Sequence, residues 1–557
     1  MVEWFSCRHR RIFLAYLGAY ALFSALTLAF YPSYGWPAGD EATYYSYAMR
    51  PWSLTSDFFE GFPPKEVINP FNFRLFLTPF SLLFATLGFT YLGARLIVLG
   101  YGLSLLAITY SLARRLAPPW LALSTVVVLS LSPIFIFSTH GVRPEGMMTL
   151  WLMFTVWIVA RHEPPISARA YFLAGLVAAS TLWIHYHGIV AFPLLLVATV
   201  VYDRTHVTRH KLGAFLGGGL VFAACFLVLN LLPAWTTIKT YGLLPVTYAS
   251  SNRVPILSPG QLPESLKRSF DYYAGVIRGN GDLGPWSGWF TLVMALPAVF
   301  GAWRPATRLA SMLVALLLML LVAYALIFPN ARWQYLLYLY PVVFLLAARG
   351  LANLPPGRDM TVLAVILLTL VGGAYAYDSG TTLKRSWEVH GQNEQVGAVL
   401  QTQVERLGDP RRVVVMGAQE FHRFVPRTRF RTFHSLITLR DFNAVLKRFK
   451  PDVVLINQRG VMAITTFLNE RLVVNGIVNL PPELGHRWIR EGLLRRDPRS
   501  GRWMLNKNRV EPVVRTTLAK QGYRRLDPGE PLRWDGGRVE IYVREKDRSQ
   551  RVAVGRP

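Results

Sequence analysis

Residues 92–115 read LGARLIVLGYGLSLLAITYSLARR. One charge, Arg95, interrupts the apolar run before Arg114-Arg115 closes it. Crossing the hydrocarbon of a bilayer takes about 20 apolar residues, fewer when a segment tilts. This stretch is long enough. Its arginine pair marks an inner end, because short cytoplasmic loops collect Lys and Arg.

Similar stretches lie at 12–30, 73–90, 116–139, 147–160, 170–184, 188–202, 212–233, 286–302, 309–328, 333–348 and 361–377. The charges between them decide how many cross. With 73–90 laid along the outer interface, Arg8 to Arg11, Arg114-Arg115, Arg161 with Arg169, Arg204 through Lys211, Arg304 with Arg308, and Arg349 with Arg358 all fall inside. Were 73–90 to cross, every later loop would invert. The expectation is a polytopic α-helical membrane protein of about eleven spans, N-terminus in and C-terminus out. The opening Arg8-His9-Arg10-Arg11 before 12–30 resembles a signal peptide. No small-residue cleavage site follows, so 12–30 is read as a retained anchor.

Composition agrees. Of 557 residues, 52% are hydrophobic and 16% charged, against about 25% charged in soluble domains. An aromatic share of 13% and two cysteines exclude disordered, collagen-like and disulfide-stapled classes. Cys7 lies in the N-terminal tail and Cys225 in an apolar run, so they are not expected to pair. The net charge of +27 would suit nucleic acid. Its excess, however, sits largely in short loops beside apolar segments, where it sets orientation and meets anionic lipid. Membrane lipids, not nucleic acid, are the expected partner.

This topology gives a membrane domain over 1–377 with outer loops at 31–91 and 234–285 and a tight outer turn at 139–146. Loops of that length are usually functional. From 378 to 557 the apolar runs shorten to strand length, at 413–416, 453–456 and 539–543, separated by helix-like stretches such as 391–407 and 461–474. That alternation predicts a soluble extracytoplasmic α/β domain. It holds 34 basic and 19 acidic residues. Gly417-Ala418-Gln419 lacks the further glycines of a dinucleotide turn.

Chemistry-bearing residues gather on the outer side. Gly39-Asp40-Glu41-Ala42-Thr43-Tyr44-Tyr45 follows the first span, and adjacent carboxylates there are costly unless solvated, paired or used. A plain reading makes Asp40 the N-cap of a helix over 42–49. His140-Gly141-Val142-Arg143-Pro144-Glu145-Gly146 is a polar corner between apolar runs. Plainly read, it is a hairpin in which Arg143 pairs with Glu145. The topology also sets Glu145 on the face of Asp40. Arg332 opens 333–340 at the outer end of a span and suits bidentate phosphate binding. Its plain reading is an arginine snorkelling to headgroups. Lys65 and Arg74 are further cationic candidates. His185 and His187 flank Tyr186; with no third ligand in the sequence, an interfacial cluster is preferred to a metal site.

The order of these motifs resembles the GT-C glycosyltransferases that use polyprenyl-phosphate sugars, a group that includes protein O-mannosyltransferases and the aminoarabinose transferases of lipid A. The Asp40-Glu41 pair, Leu92-Gly93-Ala94-Arg95-Leu96, Tyr110 through Arg115, Ser132-Pro133 and Arg143-Pro144-Glu145 carry the resemblance over about the first 160 residues. Arg332-Trp333-Gln334-Tyr335-Leu336 through Pro341 is similar to a later Arg/Lys-x-x-Tyr-x-x-Pro segment. The resemblance implies Asp40 as catalytic base with Glu41 beside it, and Glu145 orienting the acceptor or base. The family's Lys-Pro-Pro or His-Pro-Pro is matched only loosely, by Pro63-Pro64-Lys65 and Asn69-Pro70-Phe71.

The implied enzyme is a membrane hexosyl- or pentosyltransferase moving a sugar from a polyprenyl-phosphate donor to a lipid, glycan or protein hydroxyl, with inversion. Arg332, Lys65 and Arg74 would hold the donor phosphate, and Arg143, His140, Asn69 and Tyr44 would contact acceptor or sugar. No cofactor is expected: a divalent metal at Asp40, Glu41 and Glu145 is the alternative, disfavoured because a cationic side chain can stabilise the leaving phosphate in its place. The expected location is a bacterial inner (plasma) membrane, with the site facing the periplasm or exterior. The alternatives are a lipid-linked substrate transporter or flippase, disfavoured by the lack of a sequence repeat, and an oligosaccharide-transferring ligase.

Overall fold

A proline sets the first departure from the sequence reading. The stretch 116–139, read as one span, is two helices in the computed structural model, Pro119–Leu131 and Pro133–His140, bent by 66°. Pro133 cannot donate to the preceding turn and disfavours helical backbone at Ser132, which is extended (φ −66°, ψ 135°). Ser132 Oγ then caps the second helix, accepting from Phe135 N at 3.3 Å.

The structure describes most of residues 2–30, 73–235, 286–303, 307–326, 333–355, 357–417, 419–432, 446–456 and 507–545, with single residues or short strands elsewhere. In chain order the helices are α1 (Val2–Phe30), α2 (Arg74–Leu87), α3 (Tyr91–Ala113), α4 (Pro119–Leu131), α5 (Pro133–His140), α6 (Pro144–Ala160), α7 (Ala168–Ser180), α8 (Gly188–Tyr202), α9 (Arg209–Phe226), α10 (Ser287–Trp303), α11 (Arg308–Leu326), α12 (Tyr340–Ala352) and α13 (Arg358–Arg406). The chain divides into two units, Met1–Pro37 with Asn69–Trp387, and Ala38–Ile68 with Glu388–Pro557. The boundary expected at 377/378 lies inside α13, which continues unbroken for 49 residues.

Among the described residues five helices are long and apolar enough to cross a membrane: Arg8–Phe30, Tyr91–Ala113, Arg209–Leu231, Arg308–Ala325 and Asp359–Lys384. Counted as one broken span, the bent α4–α5 pair would add a sixth; the same 66° bend also fits a re-entrant loop. The chain is a multi-pass membrane protein. The expected eleven spans also count short apolar helices such as α8, of 15 residues, which reaches about 22 Å against a hydrocarbon core of about 30 Å. Leu220, Leu296 and Trp303 stand exposed, as lipid contact permits.

Within the first unit, glycines let backbones approach. A Cβ on Gly175 or Gly218 would lie 2.0 or 2.2 Å from a carbonyl oxygen of the facing helix, which joins α7 to α9. Gly301 and Gly350 do the same for α10 and α12. Small residues serve this purpose where lipid supplies no hydrophobic drive between helices. Where α8 runs toward α9, Asp203 is fully buried and ion-paired to Lys211 Nζ at 2.7 Å, and it also accepts from Tyr171 Oη at 3.1 Å. The expected span 333–348 divides as well. Trp333–Tyr338 is a 3₁₀ turn, and α12 starts only at Tyr340, with Pro341 in its first turn.

The second unit carries a five-stranded sheet of order β2-β1-β3-β11-β8, made of β1 (Val414–Gly417), β2 (Arg429–Thr432), β3 (Val453–Ile456), β8 (Tyr523–Arg525) and β11 (Glu540–Arg544). β1 runs parallel to β2 and β3, and β11 is antiparallel to β3 and β8. The strands expected at 413–416, 453–456 and 539–543 are β1, β3 and β11. Val396, Leu400 and Val404 of α13 pack into a core with Val415, Phe421, Val453, Leu455 and Ile541. The helix expected over 391–407 is therefore the end of α13. Of the helix expected over 461–474, the described residues Val473–Val474 form β4, paired with β5 (Ile477–Val478) in a second sheet of order β4-β5-β7-β6 with β7 (Trp503–Leu505) and β6 (Leu494–Arg496).

Candidate active site

The polar corner folds as a helix end, a three-residue link and a helix start. His140 closes α5, and Pro144 opens α6. A Cβ on Gly146 would sit 2.7 Å from Ser138 O, so glycine there lets α6 lie against the backbone of α5. Every side chain of this corner is buried. Arg143 and Glu145, 3% and 1% exposed, form a bidentate pair, with Nε to Oε2 at 3.2 Å and Nη2 to Oε1 at 2.9 Å. The Arg143 guanidinium also lies 5.2 Å from the centre of the Phe137 ring. His140 Nδ1 meets Ile136 O at 3.0 Å, and its ring stands edge-on to Tyr20 at 6.3 Å.

Two further elements reach this corner. Between α7 and α8 the chain turns tightly: Gly188 N donates to His185 O at 2.8 Å, and a Cβ on Gly188 would collide with Thr181 backbone at 2.3 Å. The turn buries His185 and His187 with ring centres 4.3 Å apart, and His187 N donates to His185 Nδ1 at 3.2 Å. His185 is within electrostatic reach of Glu145. The Trp333–Tyr338 turn supplies Tyr335, whose ring meets His187 edge-on at 4.4 Å and His185 at 5.7 Å, and Tyr338, edge-on to His187 at 6.2 Å. Phe73 stacks on His185 at 5.8 Å.

The cluster of Arg143, Glu145, His185, His187, Tyr335 and Tyr338 thus joins the polar corner to two segments distant in sequence. The sequence reading left His185 and His187 as an interfacial pair and missed the two tyrosines as partners. Arg95 was read only as part of a motif. It is fully buried, its guanidinium lies 4.4 Å over the Tyr91 ring and bonds the Tyr91 hydroxyl, and it acts electrostatically on His140. A lone charge in an apolar run was the signal for it.

Of the other expected site residues, Arg74 opens α2 and donates Nη2 to Leu229 O at 2.7 Å, in a π-helical turn over Leu227–Leu231. Glu41 and Tyr44 are helical and buried. Asp40, Lys65, Asn69 and Arg332 lie outside the described residues. Among the described residues no three His, Cys, Asp or Glu side chains gather as a metal site requires.

This architecture is similar to that of ArnT from Cupriavidus metallidurans bound to undecaprenyl phosphate. The TM-score is 0.54 at 13% identity, covering 84% of this chain and 96% of that one. The fold is GT-C. The family model described as dolichyl-phosphate-mannose-protein mannosyltransferase matches residues 70–230 of the GT-C unit, a range that holds Arg143, Glu145, His185 and His187. An Archaeoglobus fulgidus oligosaccharyltransferase, tethered with an acceptor peptide, aligns over 95% of this chain and 88% of its own, at 10% identity and a TM-score of 0.48. No curated protein matches the chain.

Proposed function

We propose that the protein is an integral-membrane glycosyltransferase that moves a sugar from a polyprenyl phosphate to an acceptor hydroxyl on the extracytoplasmic face. The observation that carries this reading is the match of the whole GT-C architecture to a protein bound to undecaprenyl phosphate, over nearly all of that protein's length. The family match over 70–230 supports it. The eleven-span, C-out topology would place the Arg143–Glu145 corner outside.

In this mechanism Asp40 takes the proton from the acceptor hydroxyl as that oxygen attacks the anomeric carbon. The new glycosidic bond forms as the bond from anomeric carbon to phosphate oxygen breaks, which inverts the centre. General-base help of this kind contributes roughly 10²–10⁴-fold. The polyprenyl phosphate leaves as a stable anion and needs no general acid. Its charge is met by Arg332, with Lys65 and Arg74 as helpers. Glu145, with both oxygens taken by Arg143, is suited to hold Arg143 and the acceptor end in place and not to remove a proton.

The test is lipid analysis of cells lacking the protein, followed by transfer assays with the full chain in nanodiscs. Deletion should leave a polyprenyl-phosphate sugar to accumulate, and purified protein should transfer that sugar to a hydroxyl. Asp40→Asn should abolish transfer with normal membrane insertion; full activity in that variant removes Asp40 as base. Uptake into sealed vesicles without a covalent product would make the protein a transporter, and a whole glycan in the product would make it a ligase.

A further inference from the structure

Behind the Trp333–Tyr338 turn, three helices of the first unit meet through hydroxyl groups. Thr291, one turn into α10, has its Oγ1 2.6 Å from Ser287 O, 2.7 Å from the Tyr340 hydroxyl at the start of α12 and 2.8 Å from the Tyr375 hydroxyl of α13. A threonine hydroxyl has one proton and two lone pairs. With its proton given to Ser287 O, Oγ1 has its two lone pairs for the two phenols, and the oxygen is saturated. Tyr340 and Tyr375 are buried, at 5% and 0% exposure.

One turn further along both α10 and α13 lies a second rung. Asp378, fully buried, accepts at Oδ2 from Ser287 N at 2.6 Å, Ser287 Oγ at 2.7 Å and Trp286 N at 3.1 Å. Its carboxylate supplies the cap that α10 lacks from its own sequence. Gly284, at φ +84°, takes a left-handed conformation just before, and a Cβ there would meet Asp378 Cγ at 2.5 Å. α10 and α13 are thereby locked in register, and Tyr340 extends the lock to α12. Hydrogen bonds between membrane helices contribute modestly to stability. Apolar residues of like shape would serve packing as well, so the saturated threonine is better explained by the position it fixes.

What it fixes is the approach to the candidate active site. Tyr340 stands two residues after Tyr338 and five after Tyr335, the rings that meet His187. We infer that Thr291, Tyr340 and Tyr375 are positioning residues that hold the Trp333–Tyr338 turn, and so Tyr335 and Tyr338, against His187. The kinetic consequence rests on the glycosyl-transfer reading, because Arg332, the proposed phosphate ligand, directly precedes the turn. The positional claim does not rest on it.

The experiment uses the full chain in nanodiscs, as wild type, Thr291→Val, Thr291→Ser and Tyr375→Phe. Amide hydrogen exchange over 333–340 should speed up about tenfold in Thr291→Val and Tyr375→Phe, with 344–352 unchanged, and Thr291→Ser should restore protection. Binding of undecaprenyl phosphate alone should weaken about tenfold in Thr291→Val. In transfer assays the donor KM should rise by a similar factor with kcat within about twofold. Unchanged exchange in both Thr291→Val and Tyr375→Phe overturns the inference, as does failure of Thr291→Ser to restore it. Should Thr291→Val fail to fold, Tyr375→Phe carries the same decision. A wild type that transfers no sugar would overturn the enzyme reading, while the exchange data would still decide the positioning.

Discussion

Arg143 and Glu145 are nearly sealed from solvent, and a buried ion pair gives more when whole than either partner can alone. Removing one member strands a charge, at a cost of about 3–5 kcal/mol, whereas removing both with apolar replacements is often close to neutral. Arg143→Ala should therefore lower the thermal stability of the detergent-solubilised protein far more than the Arg143→Leu/Glu145→Leu double variant does. Equal losses would mean that the pair contributes no coupling. At this scale the sequence was informative wherever spacing forces contact. Two residues on either side of a proline can pair without help from the fold, so the Arg143–Glu145 contact was readable. His185, Tyr335 and Tyr338 come from segments some 150 residues apart, and no local pattern announces that their rings will meet. Arg332→Ala is the residue-scale test of donor binding: transfer should need a higher donor concentration, and an unchanged dependence would remove Arg332 as a phosphate ligand.

The helices show what an apolar run hides. Length and hydropathy located α3 and α8 to within a residue or so, and α8 continues through Pro193. They failed at 116–139 and 333–348, where a proline resets the backbone without lowering hydropathy. Ser132 matters in both directions, ending α4 and capping α5. Ser132→Ala should cost about 1 kcal/mol through the lost cap, read as earlier unfolding and as faster amide exchange at Phe135. No change at Phe135 would show that Pro133 alone holds the break. Pairing of helices was not legible at all. Gly175 and Gly218 sit in different apolar runs, and only the packed backbones show why neither position can hold a side chain.

Across the whole chain, the second unit has its own acid sensitivity. His422, buried against Phe430 at 5.4 Å, has its pKa pushed by burial from 6.5 down to about 4. Between those values the unfolded chain binds the proton and the folded one does not. Stability is therefore full above about pH 6.5 and falls as pH drops toward 4, by on the order of 3 kcal/mol. Glu540 adds a second loss. Burial would raise its pKa, but bonds from the Tyr542 hydroxyl at 2.8 Å and bidentate Arg515, with Arg525 nearby, hold it below the ordinary 4.5. Its contribution is present above about 4.5 and goes as pH falls further. The protection of core amides of β1 and β3, taken relative to the intrinsic exchange rate at each pH, should fall from about pH 6.5 downward, and His422→Phe should remove that first phase. A midpoint unmoved in His422→Phe would sink this account. Three strands of this unit, β1, β3 and β11, were legible because β-branched runs of four or five residues, set off by turns, have few other uses; β2, β8, the second sheet and the order of pairing were not.

α13 has a practical corollary for anyone dissecting the molecule. Its last apolar residue is not where the membrane unit stops being itself. Severing the polypeptide after Tyr377 would strip α10 of the carboxylate that caps it, although Asp378 looks from the sequence like the first residue of a different module. A foreign domain grafted onto this scaffold must be spliced beyond Trp387, and a shortened version ending at 377 should be produced misassembled even with every proposed catalytic side chain still encoded.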